Sequence, residues 1–220
     1  MKFKLIVLML VLQASFVKSQ NWDISLLNKF NPNNGNQSSS WKFVSNNAIY
    51  MSAATPLALA VAGIATHDQK LKQTALNTGV ALVGNTAITF FMKNSIQRPR
   101  PFVTWGDKVM LQGNTSPSDY SFPSGHTSTA FSVATSVSLA YPKWYVIAPS
   151  FAFASATAYS RMYRGAHYPS DVLCGMLVGS GSAYLTHKLQ KMMYRKSMER
   201  RAKALALSQQ ETNPVFISGN

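Results

Sequence analysis

Acidic side chains are scarce in this chain. Seven Asp and Glu stand against 21 Lys and Arg in 220 residues, a formal net charge of +14. Charged residues of both signs make up 13%, about half the share of an ordinary soluble domain. Membrane-embedded chains shed charge in this way. The sign of the remaining charge favours anionic partners: phosphates, nucleic acid or anionic lipid headgroups. No recognition-helix pattern and no aromatic stacking motif is present, which argues against nucleic acid. Cysteine is nearly missing. The single Cys174, set in an apolar run, excludes an intrachain disulfide and reads as a small buried apolar residue. Without a CxxC or a Cys/His cluster there is no signature of a structural zinc site. Sustained strand alternation is lacking too, as is an Asn-Gly turn between alternating runs. The fold class expected is therefore all-α.

The chain opens with an export signal. Lys2 and Lys4 precede the apolar run 5–12, and Val17-Lys18-Ser19 offers a small-residue cleavage site. Residues 1–19 read as a signal peptide, or as an uncleaved anchor; both put the residues from Gln20 onwards outside the cytoplasm. Residues 20–45 form a polar lead-in whose run Asn31-Pro32-Asn33-Asn34-Gly35 is loop by composition. Five apolar segments come next, at 48–65, 76–92, 127–141, 144–159 and 172–185. Each is shorter than the ~20 residues that cleanly span a bilayer. Their Ser, Thr, Asn and Gly suit close helix packing in a membrane bundle, and equally a soluble helical core. The expected body is a bundle of about five to six helices over 46–189, followed by a basic tail over 190–220.

Charge placement orients the bundle. The link at 67–72, the short Pro142-Lys143 link and the tail from Lys188 to Lys203 are all basic. If the five segments span, these regions share one side, which the positive-inside rule makes cytoplasmic. The stretches 93–124 and 160–170 then lie together on the outer face.

Three clusters occupy those stretches. The first is Lys93 with Arg98, Pro99, Arg100 and Pro101. Lysine supplies a point charge and arginine a rigid fork, the two natural ligands of phosphoryl oxygens. Lys93, Arg100 and Arg161 form the candidate clamp, and Arg98 is a fourth cation set apart by Pro99. A basic juxtamembrane collar explains this cluster equally well. The second is Phe122-Pro123-Ser124-Gly125-His126 before an apolar helix. Free N–H groups at such a helix start bind anions, and His126 beside them could protonate a departing alkoxide. An ordinary helix cap with a chance histidine fits as well. The third is Ser160-Arg161, His167 and Asp171. A carboxylate four residues on can orient an imidazole and leave its other nitrogen free to attack phosphorus. A structural His–Asp pair or a metal site are the other readings of that pair.

The order and spacing of the clusters carry more than any one of them. Lys93 is followed after six residues by Arg100-Pro101, then by Pro123-Ser124-Gly125-His126. Ser160-Arg161 comes next, then five residues, His167, three residues and Asp171. This three-part pattern resembles the signature of the type 2 phosphatidic acid phosphatase and vanadium haloperoxidase superfamily. The resemblance covers residues 93–171, and Gly165–Gly175 is similar to the lipid-phosphatase branch. It implies a helical bundle with His167 as nucleophile, forming a phosphohistidine. Asp171 would orient His167, and His126 would act as general acid. Lys93, Arg100, Ser124, Gly125 and Arg161 would bind phosphate, with no metal or other cofactor. The implied function is hydrolysis of a lipid phosphate: undecaprenyl diphosphate, phosphatidylglycerol phosphate, phosphatidic acid or a lipid A phosphate. The implied place is the inner membrane of a bacterial envelope, with the active site facing the periplasm. A soluble periplasmic acid phosphatase, a vanadate-dependent haloperoxidase and a non-catalytic lipid-phosphate binder remain as alternatives.

Overall fold

A computed structural model describes residues 22–32, 38–113 and 115–212; the signal expected at 1–19 lies outside them. Among the described residues all regular structure is helical. Helix α1 covers 22–30. The long helices α2 (Ser39–Ala65) and α3 (Gln69–Ile96) come next, and then the single turn α4 (Pro101–Thr104). The bundle closes with α5 (Gly125–Ala140), α6 (Trp144–Tyr163) and α7 (Pro169–Thr212).

Local chemistry sets these bounds. The Asp68 side chain accepts the N–H groups of Lys70 and Leu71 and so starts α3. At the other end Gln97 turns left-handed (φ 50°) and returns its N–H to Lys93 O. Arg98-Pro99-Arg100-Pro101 leaves that turn, and Pro101 opens α4 at a position where a missing N–H costs nothing.

The packing inverts a soluble protein. Ser45, Thr78, Asn85, Ser128, Ser132 and Thr157 are fully buried. Leu57, Val61 and Ile64 of α2, Val83, Phe90 and Phe91 of α3, and Leu173 and Leu177 of α7 are exposed. The buried cluster of α5, α6 and α7 is built on small residues, Ala130, Ala134, Ala154 and Ala158, beside Phe131 and Val172. Small and weakly polar residues inside, with large apolar ones outside, suit helices that meet lipid rather than water. Two stretches, Ser39–Ala65 and Gln69–Thr104, are long and apolar enough to cross a membrane. At 1.5 Å per residue the 27 residues of α2 reach about 40 Å. The helices outrun the apolar segments because their polar ends are helical too.

The close contact of α5 with α7 depends on glycine. A Cβ at Gly175 would lie 2.7 Å from Ser124 O, and one at Gly179 would lie 2.1 Å from Ser128 O. The four-residue spacing puts both glycines on one face of α7, and α5 rests on it.

Three expectations change. The polar lead-in at 20–45 carries helix on both sides of the loop expected from Asn31. Its α1 buries Ile24 and Leu27 against Val109 and Tyr168, and α2 already begins at Ser39. The boundary expected at 189 falls inside α7, which runs on unbroken through the basic segment. Cys174 is half-buried rather than buried.

Candidate active site

The chain reverses direction at each link, so α2 begins and α3 ends at the same end of the bundle. At that end α5 also begins, α6 ends and α7 begins. A cavity of about 890 Å³ opens there, and its wall includes Lys93, Arg100, Gly125, His126, Arg161 and His167. Side chains from all three sequence clusters meet in one space.

His167 sits in the link between α6 and α7 and is buried. Arg100 Nη1 donates to His167 Nε2 at 3.2 Å and to Ala166 O at 2.9 Å. An arginine has no lone pair to offer, so Nε2 is the acceptor and the ring proton sits on Nδ1. Nδ1 faces Asp171 Oδ2 at 3.6 Å. The ring therefore turns its lone pair towards the cation that would hold a phosphoryl group. Burial, with Arg100, Arg161 and Lys93 nearby, pushes the His167 pKa well below its ordinary value, and the imidazole stays neutral.

Asp171 holds His167 less directly than the spacing suggests. At 3.6 Å the two are too far apart for a hydrogen bond. The carboxylate is engaged elsewhere: Oδ2 accepts Tyr168 N–H at 2.9 Å and Oδ1 accepts Arg98 Nη1 at 2.8 Å. Arg98 is accordingly no phosphate ligand in this arrangement. Its other fork reaches Asp23 at 2.9 Å, and its plane lies over the Tyr168 ring at 3.8 Å. Asp23, fully buried on α1, also accepts Ser170 N–H at 3.0 Å and the Ser170 hydroxyl. One chain of charges thus runs Asp23, Arg98, Asp171, His167, from the first described helix to the nucleophile candidate.

Asp23 was not legible as a site residue. Removing one partner of a buried ion pair strands the other. Asp23→Ala is expected to cost about 3–5 kcal/mol of stability. Thermal unfolding in detergent checks this; an unchanged midpoint would mean that α1 is not bound in this way.

The remaining cations are held by neutral groups. Lys93 Nζ donates to Tyr120 O, and Arg161 Nη1 to Ser45 Oγ. Arg161 Nε has no protein partner. Arg100 Nε donates to Asp119 O at 3.0 Å, and its guanidinium meets the Asp119 carboxylate only at 3.9 Å, on the exposed rim. No ion pair involves Lys93, Arg161 or Arg164 among the described residues. A cavity lined by unneutralised cations is built for an anion.

The helix start differs from expectation at one residue. Ser124 is the N-cap of α5, but its side chain makes no cap bond and its hydroxyl meets Thr127 Oγ1 at 2.9 Å. Ser124, expected among the phosphate-binding residues, is fully buried and lies off the cavity wall, with its hydroxyl turned to Thr127. Its N–H goes to Asp171 O at 3.0 Å, which ties the two catalytic segments together. The first N–H groups of α5, at Gly125 and His126, have no carbonyl partner within the helix, and both residues line the cavity. Residues that the sequence did not single out, Ser45 and Asn46 of α2 and Arg164 after α6, line the same space.

Comparison with known proteins gives the family and the fold. The PAP2 superfamily profile matches residues 74–195. The undecaprenyl-diphosphatase of Sulfolobus acidocaldarius is 32% identical over 130 residues, which cover 57% of this chain and 62% of that protein. The chain thus spans less than two thirds of that relative's length. The crystal structure of Aquifex aeolicus LpxE superposes with a TM-score of 0.60 at 27% identity, over 74% of this chain and 93% of LpxE. The transmembrane PAP2-type phosphatidylglycerolphosphate phosphatase of Bacillus subtilis gives 0.62 at 19% identity. That match covers 86% of this chain and 95% of the Bacillus protein, and shares the fold.

Proposed function

The chain belongs to the PAP2 superfamily, and on that premise we propose that it is a membrane-embedded lipid phosphatase working through a phosphohistidine. One observation carries the reading. The unprotonated Nε2 of His167 faces Arg100 at 3.2 Å, in a cavity that holds Lys93, Arg161 and His126 as well.

The geometry supports a definite sequence of steps. A phosphate group drawn in by Lys93, Arg100 and Arg161 stands before Nε2, with its remaining oxygens towards the N–H groups of Gly125 and His126. Nε2 attacks phosphorus while the bond to the leaving oxygen breaks. Burial, with Arg161 and His167 nearby, holds the His126 pKa down to about 2; the phosphate dianion beside it favours the charged ring, and His126 then gives that oxygen a proton. Asp171, fixed by Arg98, favours the positive charge that develops on the ring. Water then attacks the phosphohistidine, His126 takes its proton, and inorganic phosphate leaves. The cations and helix N–H groups are in place before charge accumulates, which is the efficient form of transition-state stabilisation.

The exposed apolar flanks of α2, α3 and α7 support a bilayer around the bundle. The site lies at the end opposite the basic links, which supports a periplasm-facing cavity. The exported side fits undecaprenyl diphosphate, phosphatidylglycerol phosphate, phosphatidic acid and lipid A phosphates alike. Detergent-purified protein is expected to release phosphate from such lipids and to stay in the membrane under high salt. Full activity recovered in the salt wash would overturn the membrane-embedded reading in favour of a soluble acid phosphatase. Peroxide- and vanadate-dependent halide oxidation with no phosphate release would overturn the phosphatase reading altogether.

A further inference from the structure

Two acids are buried among the described residues, and both hold the same arginine. Asp23 on α1 and Asp171 on α7 are fully buried, while Asp68, Asp107, Asp119 and Glu199 are exposed. Arg98 donates from Nη1 to Asp171 Oδ1 at 2.8 Å and from Nη2 to Asp23 Oδ2 at 2.9 Å. Ser170 closes the cluster. Its hydroxyl accepts Arg98 Nη1 at 2.7 Å and donates to Asp23 Oδ2. Its N–H donates to Asp23 Oδ1 at 3.0 Å. Ser170 is the second residue of α7, so Asp23 also caps the helix that carries Asp171.

One carboxylate is enough to neutralise a buried arginine. The second changes the sum. Arg98 with Asp171 alone is a neutral pair, and a neutral pair beside His167 offers its ring little. With Asp23 the cluster carries one net negative charge, buried where solvent screens it poorly. That charge acts at one moment of the reaction. Attack through Nε2 leaves the proton on Nδ1 and makes the ring positive. Nδ1 is the atom that faces Asp171, at 3.6 Å. This is too far for a hydrogen bond, so Asp171 acts on the ring through its field. Such a field follows the net charge of the whole cluster, and Asp23 sets that net charge.

We propose that Asp23 is a positioning residue for the attack on phosphorus: it holds and offsets Arg98, so that Asp171 keeps its negative charge for the imidazolium of His167. This rests on the phosphatase reading above. It adds to that reaction a residue of α1 that lies outside the signature at 93–171 and outside the matched profile at 74–195. The step itself is unchanged. The bond from Nε2 to phosphorus forms as the bond to the leaving oxygen breaks, and the leaving oxygen keeps the electron pair. Asp23 neither gains nor loses a proton. Its part is to make the positive ring less costly when that bond forms.

The test uses detergent-purified full-length protein, with p-nitrophenyl phosphate and dioctanoyl phosphatidic acid as probes. Asp23→Asn keeps the size of the side chain and removes its charge. It should lower kcat on the order of tenfold or more and leave KM within about threefold, because other side chains bind the phosphoryl oxygens. Combining Asp23→Asn with Arg98→Gln returns the cluster to one net negative charge, now on Asp171 alone. The double variant should therefore regain kcat over Asp23→Asn, although both ends of an ion pair are gone. A merely structural ion pair gives the reverse, a double variant no better than the single one. That result would overturn the role of Asp23, as would an unchanged kcat in Asp23→Asn or a loss confined to KM. Should Asp23→Asn show no cooperative thermal transition, the double variant decides alone. A kcat within about tenfold of wild type supports the role; a larger loss, or a double variant that does not fold, overturns it. A wild type that releases phosphate from neither probe, nor from any of the lipid phosphates named above, would instead overturn the phosphatase reading itself.

Discussion

His167→Ala is expected to abolish both turnover and the acid-labile phosphoenzyme. His167 Nε2 accepts from Arg100 Nη1 and lies on the cavity wall. The loss should be on the order of 10⁴-fold or more in kcat, the scale for removing an attacking group while binding survives. KM should move little, because the phosphoryl oxygens are held by other side chains. Rapid acid quench with a labelled phosphate ester reads the intermediate directly, and label retained on the variant would exclude His167. The same residue sets an acid limb. Its pKa lies well below 6.5, so the attacking neutral form persists as pH falls through that value. The limb of kcat/KM assigned to His167 should therefore lie below about 6.5. A bound phosphate dianion favours the imidazolium and should move the corresponding limb of kcat upwards. For stability the sign is fixed in the same way. Below about pH 6.5 the unfolded chain takes up a proton at this ring and the folded chain does not, so stability falls as pH falls.

His126→Ala is expected to split substrates by leaving group. A simple alkyl phosphate departs as an alkoxide and needs a proton in the transition state. The variant should lose about 10²- to 10⁴-fold on it, the usual share of general-acid catalysis. An activated aryl phosphate departs as a stable phenolate and should lose far less. Steady-state kcat/KM on a series of esters of graded leaving-group acidity makes the measurement. The variant's line should be steeper than that of wild type; parallel lines would remove His126 from the proton-transfer step. The backbone N–H of residue 126 survives the substitution, so phosphate binding at the start of α5 should also survive.

Much of this site could be read along the chain, because the signature is written in residue types at short range. Six residues separate Lys93 from Arg100, and five separate Arg161 from His167. Such intervals fix chemistry without knowledge of the fold. The residues that escaped lie across it. Asp23 sits in a stretch dominated by Asn and Ser, and nothing near it announces that Arg98 will come to rest beside it. The helix that carries it did leave a trace, since Ile24 and Leu27 are three apart and both face the core. Arg164 was hidden in plain view as a spacer between Arg161 and His167. A second arginine within one turn of Arg161 was the available signal. Ser124 was misplaced for a different reason. Sequence tells that a serine stands at a helix start, but not whether its hydroxyl turns outwards or, as here, towards Thr127. The boundary at 189 was drawn on composition, and α7 runs through it. The tail's Lys, Arg, Met, Glu, Ala and Leu are all strong helix formers, and nothing in them stops α7.

The link between Asp23 and Ser170 also has a bearing on time. It joins residues 147 apart in sequence, a far longer excursion than the four residues separating His167 from Asp171. Closing a longer loop costs more chain entropy, so local helices and their neighbours form before such a contact is made. The turn that carries His167 can exist early, but Arg98 and Asp171 beside it are fixed only when α1 folds back onto α7. Completion of this charge network is therefore a late event in the assembly of this protein.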